Sequence, residues 1–221
     1  MLEATPSLSQ SSYISYGAQN NNYSGNDWLR AGVQSSTSTR YISLVQFNVA
    51  PYMNAIVDSA ALRLYSFDDG DVWKAETTIL AKRNTSSFTA SNVTYNSRPS
   101  YRDTSDDQNQ ETCTASGNNI WYEWNIKDIV QAWLSGTANY GLTLIQDGLS
   151  TAKGKVFKKS GAYAPKLELN YYMPIKIAPS QGLISKQMIK IMIAPTQGVI
   201  NKTVTGMKIA AAQGSINKTI F

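Results

Sequence analysis

The sequence has no histidine and a single cysteine. Without histidine there is no Ser-His-Asp or Cys-His catalysis, and the commonest transition-metal ligand is missing. One cysteine, Cys113, cannot close an internal disulfide, and its setting "DQNQETCTASGN" offers neither the basic neighbours nor the helix start that activate a thiol. No run approaches the eighteen or so apolar residues of a membrane span. The opening "MLEATPSLSQ" has no basic region followed by an apolar one, so it does not read as a secretory signal. No phosphate-binding loop or dinucleotide fingerprint is found. Acidic residues are absent from the last 47 positions, 175–221, which hold six lysines, whereas residues 1–174 carry 14 Lys+Arg against 15 Asp+Glu. The net charge of +5 therefore belongs to the tail. With no arginine cluster and no interleaved aromatics, the tail argues against nucleic acid as its partner.

What is present is rich in Tyr (13) and Trp (5), residues that favour strands and can stack on a ligand. Short alternating segments recur between turn-rich stretches. "SSYISYG", "WLRAGV", "RYISLVQFNV", "AIVDSAALRLYSF", "TTILAKR", "NIWYEWNI", "YGLTLIQ" and "PKLELNYY" read as strands, and a further short strand is expected around Val93–Tyr95. In the second half of "AIVDSAALRLYSF", Ala61, Arg63 and Tyr65 alternate with Leu62, Leu64 and Ser66; in "WYEW", Trp121 and Glu123 face away from Tyr122 and Trp124. Residues 100–119 read as a polar loop. One helix is signalled in "NIKDIVQAWLSG": Asn125 can cap it, Ile126, Ile129, Val130, Trp133 and Leu134 share a face, and Gly136 ends it. Trp133 is thereby assigned to the core. The fold class is all-β: a jelly-roll-like antiparallel β-sandwich with one short helix, over residues 1–174.

The chain closes on three copies of one phrase, "IAPSQGLISK", "IAPTQGVINK" and "IAAAQGSINK", beginning at Ile177, Ile193 and Ile209 and spaced by sixteen residues. Period-two alternation around Ile177, Ile184, Ile193, Ile200, Ile209 and Ile216 reads as strands, and Gly182, Gly198 and Gly214 supply the turns. Three such units bury too little apolar area to stand alone. Two partners suit residues 175–221: copies of the same chain, as a trimer or higher assembly, or another protein of a particle, by strand addition.

The order of "NDWLRAG", "ISLVQFNV", "IVDSAALRLYSF", "FTASNVTYNSRP", "WYEWNIKDIVQAWLSGTANYGLTLIQ" and "FKKSGAYAPKLELNYY" resembles the DNRLRE-domain family, whose members are β-sandwiches similar to carbohydrate-binding modules. The resemblance covers roughly residues 5–172, with Tyr95 where that family usually has Trp. It implies a sandwich found in bacterial surface proteins, beside polysaccharide-degrading enzymes and in phage structural proteins, and in some cases binding polysaccharides, acidic ones included.

The function expected is non-enzymatic: a structural or adhesion component of a virion or phage-tail-like particle, made in the cytoplasm and displaying the sandwich toward a cell-surface polysaccharide. The alternatives are a carbohydrate-binding module of a bacterial surface or secreted protein, and a decoration or fibre protein that binds no glycan. Aromatic and basic side chains suit sugar rings and acidic substituents. The candidate glycan contacts are Trp73, Tyr41, Trp121, Arg98, Lys158 and Lys159, drawn from a pool that also includes Trp28, Tyr95, Tyr122 and Trp124. The carboxylates available to a glycosidase are Asp68, Asp69, Asp71, Asp103, Asp106, Asp107, Glu123 and Asp147, most of them in turn-like loops where solvation is the ordinary role. Such loops could hold a structural calcium; no cofactor is otherwise expected. If the repeats self-assemble, light scattering will give a trimer or larger species for the full chain and a monomer for a 1–174 truncation. A monomer in both samples would leave docking on another protein.

Overall fold

The structure is a computed structural model; it describes residues 1–34, 39–68, 76–104, 106, 110–148 and 153–174. The repeat residues, and every assembly position named above, lie outside the described residues, as does Trp73.

Among the described residues, eleven strands and one α-helix follow one another: β1 (Leu2–Ala4), β2 (Leu8–Ser15), β3 (Trp28–Val33), β4 (Arg40–Phe47), β5 (Ile56–Tyr65), β6 (Thr77–Arg83), β7 (Gln110–Ala115), β8 (Trp121–Asn125), α1 (Lys127–Leu134), β9 (Leu142–Gln146), β10 (Lys153–Lys158) and β11 (Lys166–Tyr172). A four-stranded sheet has the order β1-β11-β5-β8. A seven-stranded sheet runs β10-β3-β4-β9-β6-β7, with β2 paired to β4. All pairings are antiparallel. The sandwich with one short helix is the fold read from the alternation.

The main core lies between the sheets. Leu62 and Leu64 of β5, Tyr122 and Trp124 of β8 and Leu167 and Leu169 of β11 meet Val45, Phe47, Ile79, Leu142, Leu144 and Phe157 of the other sheet. Burying each such side chain contributes about 1.5–3 kcal/mol. Trp124 is fully buried, and its Nε1 donates to the Ile79 carbonyl across the sandwich at 2.9 Å. That bond satisfies the one polar atom of the ring where water does not reach.

"RYISLVQFNV" alternates imperfectly because both faces of β4 are covered. Val45 and Phe47 join the main core, while Ile42 and Leu44 join a second cluster with Ile14, Leu80, Phe88, Val93, Tyr95 and Ile145. The segment 84–101 supplies Phe88, Val93 and Tyr95 and lies over the outside of the seven-stranded sheet. Side-chain amides fasten it: Gln10 Nε2 donates to Phe88 O at 2.8 Å, and Asn22 Nδ2 to Ala90 O and Val93 O at 2.8 and 2.7 Å. The expected strand at Val93–Tyr95 is thus not a strand. Its apolar residues face a sheet instead of pairing with one. The expected loop at 100–119 likewise contains β7, a polar edge strand whose residues "QETCTA" have little apolar signal to betray it.

In β5 the register shifts. Asn170 pairs with Ser59 and Tyr171 with Val57, so Asp58 is an extra residue, and Val57 and Ala60 both remain buried. The helix covers this end of β5. Gln131 acts as a surrogate strand partner: Val57 N donates to its Oε1 at 2.8 Å and its Nε2 donates to Ala55 O at 3.2 Å. Ile126 holds the N-cap position, and Asn125 Oδ1 accepts from Lys127 N at 3.3 Å. Gly136, at φ +109°, follows the helix, and Trp133 is buried as expected. Among the described residues no helix is long and apolar enough to cross a membrane.

Gly141 enters β9 at φ +81°, and a Cβ there would lie 2.4 Å from the Val45 carbonyl oxygen and 2.9 Å from Gln46 Cβ. Gly141→Ala must therefore strain the backbone and part β9 from β4. It should lower unfolding stability by at least about 2 kcal/mol, read from the urea midpoint. An unchanged midpoint would mean that the two strands are not held at this spacing.

Candidate functional site

The two outer faces of the sandwich differ. Segment 84–101 lies over part of the seven-stranded sheet's outer face, where apolar residues demand a cover. On the four-stranded sheet, the outward positions of β5, β8 and β11 are mostly polar or aromatic, with exposed Ile56 and half-buried Ala61 among them, and no second apolar cluster forms on them among the described residues. Strand register sets their neighbours. Tyr65 lies opposite Trp121, Arg63 opposite both Glu123 and Lys166, and Ala61 opposite Asn125 and Glu168. Leu62, Leu64, Tyr122, Trp124, Leu167 and Leu169 alternate with them and point into the core, which fixes the outward set.

Three rings gather at one end of this face. Tyr163 comes from a 3-10 turn, Gly161–Tyr163, whose first residue has φ +71°; the turn swings its ring onto Tyr65. The Tyr65 and Tyr163 rings stack at 4.2 Å with 28° between planes. Trp121 meets Tyr65 edge-on at 5.5 Å and lies 6.2 Å from Tyr163. Tyr163 is 46 % exposed, the most open of the three. Charged groups surround the rings. Arg63 Nη1 donates to Glu168 Oε1 at 2.8 Å, and its Nε is 3.6 Å from Glu123 Oε2. The Arg63 guanidinium lies 5.5 Å from the Trp121 ring centre and Lys166 Nζ 4.8 Å from it. Further along the sheet, Asn170 Nδ2 donates to Ser59 Oγ at 2.9 Å. Two cations and two carboxylates thus frame an aromatic shelf on an open, largely polar sheet face.

The residues named from sequence fall in several places. Trp121 is on the shelf. Tyr122 and Trp124 are core. Tyr41 is half-buried, 5.5 Å from the Arg30 guanidinium and 5.9 Å from the Tyr13 ring. Trp28 flanks the same arginine at 5.9 Å. Tyr95 is buried under the covering segment; Arg98 lies 4.2 Å over its ring and donates to its carbonyl at 2.8 Å. Lys158 Nζ sits 3.9 Å from the Phe67 ring centre. Lys159 donates to Ser24 O, and burial pushes its pKa down against the opposing pull of Asp27. Tyr41, Arg98, Lys158 and Lys159 therefore make contacts within the fold, while Tyr65, Tyr163, Arg63, Lys166 and Glu168 of the shelf were not singled out. Their signal was half present: the alternation in "ALRLY" and "WYEW" shows which residues point outward, but not that β5 and β8 lie side by side.

Asp103 pairs with Lys82, and Asp106 accepts from Thr104 at 2.9 Å. Among the described residues no group of three His, Cys, Asp or Glu could hold a metal ion; Asp69, Asp71 and Asp107 lie outside them. Burial raises the pKa of the Cys113 thiol, the reverse of activation. A depression of about 410 Å³ beside the helix end, lined by Met53, Trp133 and Asn139 among others, bears no charged side chain.

The shelf's ingredients are aromatic faces, carboxylate acceptors and forked donors on a rigid sheet. This is the equipment by which proteins hold sugar rings without altering them. A profile described as carbohydrate-binding module family 96 matches residues 3–171, the whole sandwich. No curated protein matches the chain. The expectation of a sandwich of carbohydrate-binding type is met at this level, and the chain belongs to carbohydrate-binding module family 96.

Proposed function

We propose that the protein binds a polysaccharide on the outer face of its four-stranded sheet, with Tyr163, Tyr65 and Trp121 as the stacking shelf. The observation that carries this reading is the shelf's position. These rings and their charged neighbours sit on a face where no second apolar cluster forms, whereas the aromatics of the seven-stranded sheet are engaged within the fold. An open row of outward side chains suits an extended chain better than a single sugar, because neighbouring rings along the polymer reach the aromatic trio and then Arg63, Glu123 and Asn125 in turn. The reading is of a binding module without chemistry of its own.

The family match favours such a module over a virion or fibre component. The trimer or docking partner at 175–221 rests on the sixteen-residue repeat, and the particle setting on that repeat, the family resemblance and an opening segment that does not read as a secretory signal. Their part in the proposal is presentation: joining several heads would raise avidity with no new contact at the shelf.

Tyr163→Ala and Trp121→Ala should each weaken binding to a polysaccharide on which the protein is retained in affinity chromatography about tenfold, equivalent to about 1.4 kcal/mol. For Tyr163→Ala, unfolding stability should change by about 1 kcal/mol or less, because the ring is exposed. Tyr41→Ala should show the opposite split, with lower stability and unchanged affinity. Calorimetric titration and urea unfolding of the same samples separate the two effects. Affinity lost in Tyr41→Ala but kept in both shelf variants would move the site to the other sheet.

A further inference from the structure

We infer that Lys155 and Asn118 become joined by an intramolecular amide bond between Lys155 Nζ and Asn118 Cγ, formed within the folded chain with release of ammonia. The bond does not depend on glycan binding. Lys155 lies on β10, and its side chain shares the inward face with Phe157, between the sheets. It is fully buried, a setting lysine enters only when its charge is paired or given up. Its Nζ donates to Asn118 Oδ1 at 3.4 Å, and Ser66 Oγ donates to the same oxygen at 3.2 Å. The amine is thus held beside the amide carbonyl it would attack, with the contact close to the separation of groups placed to react, about 3–3.5 Å.

Backbone contacts fix these side chains. Ser66 forms a bridge to Phe157, and Phe67 N donates to Val156 O at 3.2 Å, so the end of β5 is tied to β10. Asn118 sits in the turn before β8, which is clamped on both sides. The Tyr122 hydroxyl accepts from Gly117 N at 2.5 Å and donates to Gly117 O at 2.7 Å, while Ser66 N donates to Ile120 O at 2.9 Å. Burial pushes the Lys155 pKa down against the opposing pull of Asp68 and so favours the neutral, nucleophilic amine. In the reaction, the Asp68 carboxylate takes a proton from the Lys155 ammonium. Nζ then attacks Asn118 Cγ, and the new C–N bond forms while the Ser66 hydroxyl holds the developing oxyanion. A second proton passes from Nζ to Nδ2, the carbonyl reforms, and the Cγ–Nδ2 bond breaks. Ammonia leaves and takes the proton from Asp68 as ammonium; Asp68 is exposed, which opens that side to water. A charged lysine and a primary amide become a neutral amide and ammonium, with no other reactant. The product joins β10 of the seven-stranded sheet to the turn that starts β8 of the four-stranded sheet, and it removes a charge from the interior.

The test is intact mass spectrometry of the purified full chain, with a tryptic digest of the same sample. The expected mass is about 17 Da below that of the sequence, the loss of one ammonia. In the digest, peptide 103–127 should be linked to peptide 154–158, which stays uncut after Lys155. Lys155→Met and Asp68→Ala should each show the full mass of its own sequence. A native chain at full mass, cleaved after Lys155, would overturn the proposal whether or not the variants fold. A loss of about 17 Da that persists in Lys155→Met would also overturn it, because an asparagine that cyclises onto its own backbone loses the same ammonia. A loss that persists in Asp68→Ala, with the linked peptides present, would overturn the proton route through that carboxylate.

Discussion

The indole of Trp124 ties the two layers of the sandwich together, and the outer surface depends on that tie. Its ring fills the core against Phe157, 6.1 Å away, and its Nε1 reaches the Ile79 carbonyl of the opposite sheet. Among the described strands β8 lies at the edge of its sheet and pairs with β5 alone, so ladder bonds on one side hold it. What fixes its face is the burial of Tyr122 and Trp124. The side-chain period of a strand is two, and a slip by one residue would turn Trp121 and Glu123 inward and the core tryptophan outward. The geometry of the shelf is therefore set by side chains buried in the core.

The same rule explains why the two outer faces differ. Alternate positions of β2, β4, β6 and β9 are apolar on both sides: Ile14, Ile42, Leu44, Leu80 and Ile145 face outward from the main core. Left bare, they would form a large exposed apolar patch, and the chain covers them with Phe88, Val93 and Tyr95. The outward positions of β5, β8 and β11 carry Arg, Glu, Tyr, Trp and Asn, which water or a sugar can cover equally well. Arg30 with Trp28 and Tyr41, and Arg98 with Tyr95, are the same residue types as the shelf's, but they lie half-buried or over buried rings. Composition alone does not distinguish a binding surface from a packed layer; burial does.

The strands with strong alternation were legible, and so was the helix. β6 runs over Thr77–Arg83 as read, and Trp121 and Glu123 share the face opposite Tyr122 and Trp124 as read, burial showing theirs to be the outward one. β7 was not legible, because a polar edge strand with threonines has no apolar face to mark it. The Val93–Tyr95 segment was misread because two alternating apolar residues, Val93 and Tyr95, look alike whether they pair with a sheet or lie across it. At the site, Trp121 was visible and Tyr163 was not. Tyr163 follows Gly161 in a turn, and only the closure of β11 against β5 brings it 4.2 Å from Tyr65, nearly a hundred positions earlier in the chain. Contacts of that kind are a property of topology, which alternation does not encode.

Arg63 shows how fold and function divide at this surface. Partly exposed ion pairs such as those to Glu123 and Glu168 contribute about 0–1 kcal/mol each, too little to account for the fold. Their effect is directional. Glu168 holds the guanidinium on the β11 side, Glu123 lies near it on the β8 side, and the guanidinium sits against Trp121. A planar donor held this way loses little further freedom when a hydroxyl binds beside it, and a ring braced by neighbours loses little when a sugar stacks on it. The basic character of the whole chain has no part in this, since the excess of lysine lies beyond residue 174. The head presents an ordered, nearly charge-balanced surface, and that order comes from the core pattern that turns Leu62 and Trp124 inward and Arg63 and Glu123 out.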